Sequence, residues 1–223
     1  MLARYDRSVI GLAAAFSAVA GYVDAIGFLL TGGSFVSFMS GNTTRLAIGL
    51  AGGTRLAGIA VLLIATFVGG VVIGTLAGRI AGKRRVPAVL MLVTILLAAA
   101  AGLHAAEAGT AVVLLMVMAM GAENTVFAED GEVRIGLTYM TGTLVKLGKR
   151  ITAALLGGDP FGWLPYLALW AGLLGGAVAG AVAFGRVGGD ALWGAVAVMA
   201  VLTGVTSRMD FARFAGGPSA PRA

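Results

Sequence analysis

Two stretches constrain this chain more than any others: "LAGIAVLLIATFVGGVVIGTLAG", Leu56 to Gly78, and "VPAVLMLVTILLAAAAGL", Val86 to Leu103. Neither holds a charged residue, and each is about as long as the ~20 apolar residues a helix needs to cross a bilayer core. With 59% hydrophobic and 12% charged residues and a mean hydropathy of +0.96, the chain falls outside the range of soluble globular domains. The fold class expected is an all-α integral membrane bundle of six to eight helical segments. Residues 1–207 would form one transmembrane domain, and the Pro/Gly-rich tail 208–223 a disordered cytoplasmic extension.

The N-terminus, "MLARYDRSVIGLAAAFSAVAG", has the basic start and apolar run of a secretory signal. Its apolar run continues to Leu30, past any small-residue cleavage site, so an uncleaved first span is expected. The absence of cysteine excludes disulfides, thiolate metal sites and cysteine nucleophiles. A net charge of +6 fits basic cytoplasmic loops better than a nucleic-acid partner.

The chain carries an internal repeat. "MSGNTTRL" at Met39 pairs with "MTGTLVKL" at Met140, an offset of 101. "GYVD" at Gly21 lies opposite "GAEN" at Gly121, and "GGVVIG" at Gly69 opposite "GGAVAG" at Gly175, offsets of 100 and 106. The two copies, about 8–106 and 110–206, hold eight apolar segments near 8–30, 34–51, 55–78, 86–106, 110–128, 135–156, 162–185 and 190–206.

Charge arbitrates between topologies. Eight crossings with the N-terminus inside put "RIAGKRR", Arg79 to Arg85, outside and divide the basic residues about 10 to 6. If the two motif segments enter and return, six segments cross, and 13 of the 16 basic residues lie inside. Three crossings per copy invert the second copy relative to the first, an arrangement common in secondary transporters, with broken helices meeting near the midplane. Both termini would then be cytoplasmic.

The polar residues of the motifs are the site candidates. Ser40, Gly41, Asn42, Thr43, Thr44 and Arg45 in the first copy, and Thr141, Gly142, Thr143 and Lys146 in the second, could line a solute site. Gly41 and Gly142 would permit a backbone geometry that other residues avoid. The alternative is that the hydroxyls bond back to their own helices. Asp24 and the pair Glu123 and Asn124 occupy matching places in the first span of each copy. Either Asp24 pairs with Arg45 and Glu123 with Lys146 as buried ion pairs, or the carboxyls of Asp24 and Glu123 couple a proton or Na⁺ while the cations attract an anionic solute. Glycine stripes at Gly69, Gly70, Gly74 and Gly78, and at Gly172, Gly176 and Gly180, read as close helix packing, with a homodimer contact as a further use.

Signatures of enzymes are missing: no G-x-x-x-x-G-K-[ST], no H-E-x-x-H, no G-x-S-x-G and no cluster of metal ligands. A non-enzymatic protein without cofactor is expected.

"AGYVDAIGFL" followed by "FVSFMSGNTTRLAIGLA", with a later "MAMGAENTVFA" and "TYMTGTLVKLGKRI", resembles the YoaK family of bacterial inner-membrane proteins over about Ser8 to Arg208. That family usually has "GLQN" where this chain has "GAEN", so Glu123 replaces a neutral amide. The resemblance implies a small polytopic protein of the bacterial inner (cytoplasmic) membrane and little about chemistry. The function expected from the residues is a secondary transporter or facilitator of a small polar or anionic solute. A passive channel and a membrane scaffold or subunit are the alternatives.

Overall fold

The computed structural model describes residues 7–129, 132–133 and 136–209. Among these the chain forms eight α-helices: α1 (Arg7–Thr31), α2 (Met39–Ala51), α3 (Arg55–Ala81), α4 (Arg85–Ala105), α5 (Gly109–Glu123), α6 (Met140–Leu155), α7 (Leu164–Val187) and α8 (Leu192–Ser207). A two-residue antiparallel pair, β1 (Ala128–Glu129) with β2 (Glu132–Val133), follows α5. Beyond Met209, the tail expected to be disordered lies outside the described residues.

Three helical stretches are long and apolar enough to cross a membrane: Ser8–Thr31, Arg55–Ala105 and Leu164–Ser207. The last two are each split by a 3-10 turn, at Gly82–Arg84 and Gly188–Ala191. Gly82 and Gly188 end α3 and α7 at φ of 55° and 60°, a region that side chains other than glycine's rarely enter. With the shorter apolar helix α5, six helices carry the apolar character. Their outer faces leave Val72, Leu76 and Ile80 of α3 and Val198, Val201 and Val205 of α8 exposed, as a lipid-facing surface requires.

The packing exchanges helices between the two copies. α1 packs against α7 and α3 against α5, while α4 lies against both α5 and α8. Glycines set these contacts: a Cβ at Gly172, Gly176 or Gly180 would overlap the backbone carbonyl of Ala14, Ala18 or Tyr22, and one at Gly70 that of Met118. Backbones approach this closely only where side chains are absent. The contacts recur at constant offsets. Gly176 on Ala18 has its counterpart in Gly70 on Met118, Gly180 on Tyr22 in Gly74 on Ala122, and Gly21 on Leu173 in Gly121 on Phe67.

The same contacts give helix directions. From Ala14–Gly172 to Tyr22–Gly180 both numbers rise, so α1 and α7 run parallel, and Gly70–Met118 and Gly74–Ala122 make α3 and α5 parallel. Thr94 of α4 meets Thr203 of α8 through their hydroxyls at 3.3 Å, whereas His104 lies against Gly189 just before α8. α4 and α8 are therefore antiparallel.

Candidate functional site

Helix α2 starts at Met39, not at residue 34, because residues 32–38 form a partly buried non-helical break. Gly32 and Gly33 turn the chain out of α1 with positive φ, and Ser34, Val36 and Ser37 are buried. Backbone groups removed from both helix and water need partners, and side chains supply them. Asp24 Oδ1 accepts hydrogen bonds from the N–H groups of Val36 at 2.8 Å and Ser37 at 2.7 Å. Asn42, fully buried, accepts from Phe35 N at 3.1 Å and donates to Phe35 O at 2.7 Å. Thr31 bridges to Ser34.

The second copy repeats the device with different chemistry. The Asn124 carbonyl oxygen accepts from the Thr138 hydroxyl at 3.1 Å, and its amide donates to Met120 O. Asn124 and Thr138 are the counterparts of Asp24 and Ser37. Both breaks rest on one face of α1: Ser17 donates to Leu137 O in the second break, and Asp24, seven residues on, holds the first. Seven residues advance about 10 Å along a helix, which is the spacing of the breaks along α1.

The motif helices pack chiefly on neighbours of their own copy. The main neighbour of α2 is α3 and that of α6 is α7, so the expectation of two motif segments joined at the centre is corrected to one in which the segments leading into them share α1. Gly41 and Gly142 lie within α2 and α6 and do not adopt positive φ. The special backbone expected there belongs to Gly32 and Gly33. Gly41 instead makes room for the rings of Phe35 and Phe38, while around Gly142 there is open space. The Phe35 ring lies between a tilted Phe28 ring and an edge-on Phe38 ring, with centroids 5.0 and 5.2 Å away.

The hydroxyls behave as helix-internal donors. Thr43 bonds Met39 O, Thr44 bonds Ser40 O and Thr143 bonds Tyr139 O, each four residues back. Ser40, Thr43, Thr44, Thr141, Gly142 and Lys146 are exposed on the surface of the chain, and Thr143 is buried. The Arg45 guanidinium reaches back over Gly33, beside the Phe28 ring. Neither expected ion pair forms: Asp24 is taken up by the backbone of the first break, and Arg45 and Lys146 have no carboxylate partner among the described residues. Lys146 instead lines an open groove with Lys149, Arg150, Ala153 and Tyr166.

Glu123 stands apart. It is fully buried, and neither carboxyl oxygen has a hydrogen-bond partner among the described residues. Its counterpart at the offset of 100 is the apolar Val23, so the repeat does not account for it. Next to it, Asn124 ties the second break to α5. Among the described residues no group of three or more acidic, His or Cys side chains could hold a metal ion.

Residues 12–205 match the family described as "Protein of unknown function (DUF1275)". A UPF0700 transmembrane protein, RA0705, of Rhizobium meliloti (strain 1021) is 40% identical over 194 residues, covering 84% of this chain and 82% of the relative. No solved structure matches. The family match spans both breaks, both motif helices and Glu123, and the chain thus belongs to the DUF1275 family of membrane proteins.

Proposed function

We propose that the protein is a secondary transporter or facilitator of a small polar or anionic solute, with its two copies inverted in a bacterial inner membrane and Glu123 as the coupling group. Helix directions support the inverted arrangement. In a chain of eight crossings all even helices run the same way, yet α4 and α8 are antiparallel. If α2 and α6 do not cross, α4 becomes the third crossing and α8 the sixth, which run oppositely. α1 with α7 and α3 with α5 then run parallel, as observed. The same six helices give the charge distribution with most lysines and arginines, and both termini, on the cytoplasmic side.

Buried non-helical backbone in a membrane bundle is tolerated where protein or a cavity surrounds it, and transporters place their solute and ion sites at such breaks. The observation that carries the reading is Glu123: an intramembrane carboxyl without a partner is costly and marks a functional position. A proton or Na⁺ would supply the partner it lacks. Asp24, by contrast, is committed to holding the first break, so the coupling role that the sequence divides between the two carboxyls falls to Glu123.

The test is uptake into proteoliposomes under an imposed proton or Na⁺ gradient, for solutes first selected by thermal stabilisation of the purified protein, since a ligand that binds the folded state raises its stability. Glu123→Gln should retain downhill exchange of the selected solute and lose gradient-driven accumulation. Accumulation by Glu123→Gln within about twofold of the unmodified protein would sink the assignment.

A further inference from the structure

Helix α6 differs from its counterpart in a way the repeat does not explain. Lys146, Lys149 and Arg150 recur at the three- and four-residue spacing that shares one helical face, and with Ala153 and Tyr166 of α7 they line an open groove of about 400 Å³. At the offset of 101 the first copy has Arg45, Ile48 and Gly49, so the triple cluster belongs to the second copy alone. None of the three cations forms an ion pair with a described residue, and no acidic side chain is among the described residues lining the groove.

The opposite face of α6 is apolar and also exposed: Leu144, Ile151 and Leu155 are 42%, 40% and 81% exposed. Immediately beyond it, Leu156, Phe161 and Leu164 are uncovered, and the Trp163 indole donates to Pro160 O in the same turn. A helix with cations on one face, aliphatic residues on the other and aromatic side chains at its end has the character of a segment lying at a membrane surface. We infer that the α6–α7 groove binds the phosphate headgroup of an anionic phospholipid, with Lys146, Lys149 and Arg150 on the phosphate and the acyl chains against Leu156 and Phe161. Basic pockets between membrane helices recognise such headgroups by charge. Binding here requires no transport activity.

The experiment uses the full chain in phosphatidylcholine nanodiscs, with phosphatidylglycerol added to the bilayer in one arm and soluble glycerol phosphate in another. Lipid retention is read by native mass spectrometry and stability by thermal unfolding. Phosphatidylglycerol should be retained and raise the unfolding temperature, and glycerol phosphate should do neither. At roughly fivefold per cation, K146Q/K149Q/R150Q should bind phosphatidylglycerol about a hundredfold more weakly, K146R/K149R/R150K should bind normally, and Arg45→Gln should have no effect. Unaltered retention in the triple glutamine variant, or loss of retention in the charge-preserving one, would overturn the site. Stabilisation by glycerol phosphate through the same three residues would overturn the lipid in favour of a soluble phosphate compound.

Discussion

Asp24→Ala removes the acceptor for two backbone N–H groups, those of Val36 and Ser37, which approach Oδ1 at 2.8 and 2.7 Å. Val36 is 0% and Ser37 5% exposed, so water does not replace the lost oxygen. An orphaned buried donor costs about 1–3 kcal/mol, and two of them put the expected loss at about 2–6 kcal/mol. Asp24→Asn keeps a carbonyl oxygen in place, the chemistry that the second copy already uses at Asn124, and should cost no more than about half as much. Equilibrium unfolding in mixed micelles titrated with sodium dodecyl sulfate, followed by near-ultraviolet circular dichroism, measures both variants. Equal stability of Asp24→Ala and the unmodified protein, or equal losses in the two variants, would refute the account of Asp24 as the pin of the first break.

Two further outcomes follow from the packing and from the unpaired carboxyl. Gly176→Ala drives a methyl into the Ala18 carbonyl and should destabilise by about 1–3 kcal/mol or more; Gly175→Ala, next to it and facing open space, should be neutral in the same unfolding assay. Glu123→Met fills the site with an apolar side chain of similar length and leaves no unsatisfied buried oxygen. It should raise stability by about 1–3 kcal/mol while abolishing gradient-driven uptake, and a loss of stability would show that Glu123 has a structural partner.

Much of the architecture was legible in the sequence because bilayer length and glycine spacing leave strong marks. The eight apolar segments match the eight helices to within a few residues, except at the end of α5, at the start of α6 and where α2 begins. There "GGSFVSF" reads as apolar text, but positive φ at Gly32 and Gly33 and the long-range bonds of Asp24 and Asn42 to Phe35, Val36 and Ser37 hold it out of helix. The glycine stripes read correctly as packing surfaces at Gly70, Gly74, Gly172, Gly176 and Gly180, whereas Gly69 faces open space. The ion pairs did not form. Which oxygen caps which backbone group depends on three-dimensional proximity that the pairing of Asp24 with Arg45 across a repeat cannot encode. The motif places Glu123 and Asn124 together opposite Asp24, yet the offset of 100 aligns Asn124 with Asp24 and Glu123 with the apolar Val23.

The exchange of helices between copies has a consequence for biosynthesis. α1 leaves the ribosome with its glycine and alanine face finished, but the surface it needs is α7, which starts at Leu164. At about 5–20 residues per second, the wait is on the order of ten seconds, during which the nascent first half sits in the insertion machinery without its principal neighbour. The early helices must therefore be shielded by lipid, by the translocon or by a chaperone until the second half arrives. A chain truncated after the first copy would leave α1, α3 and α4 each without its neighbour from the second copy.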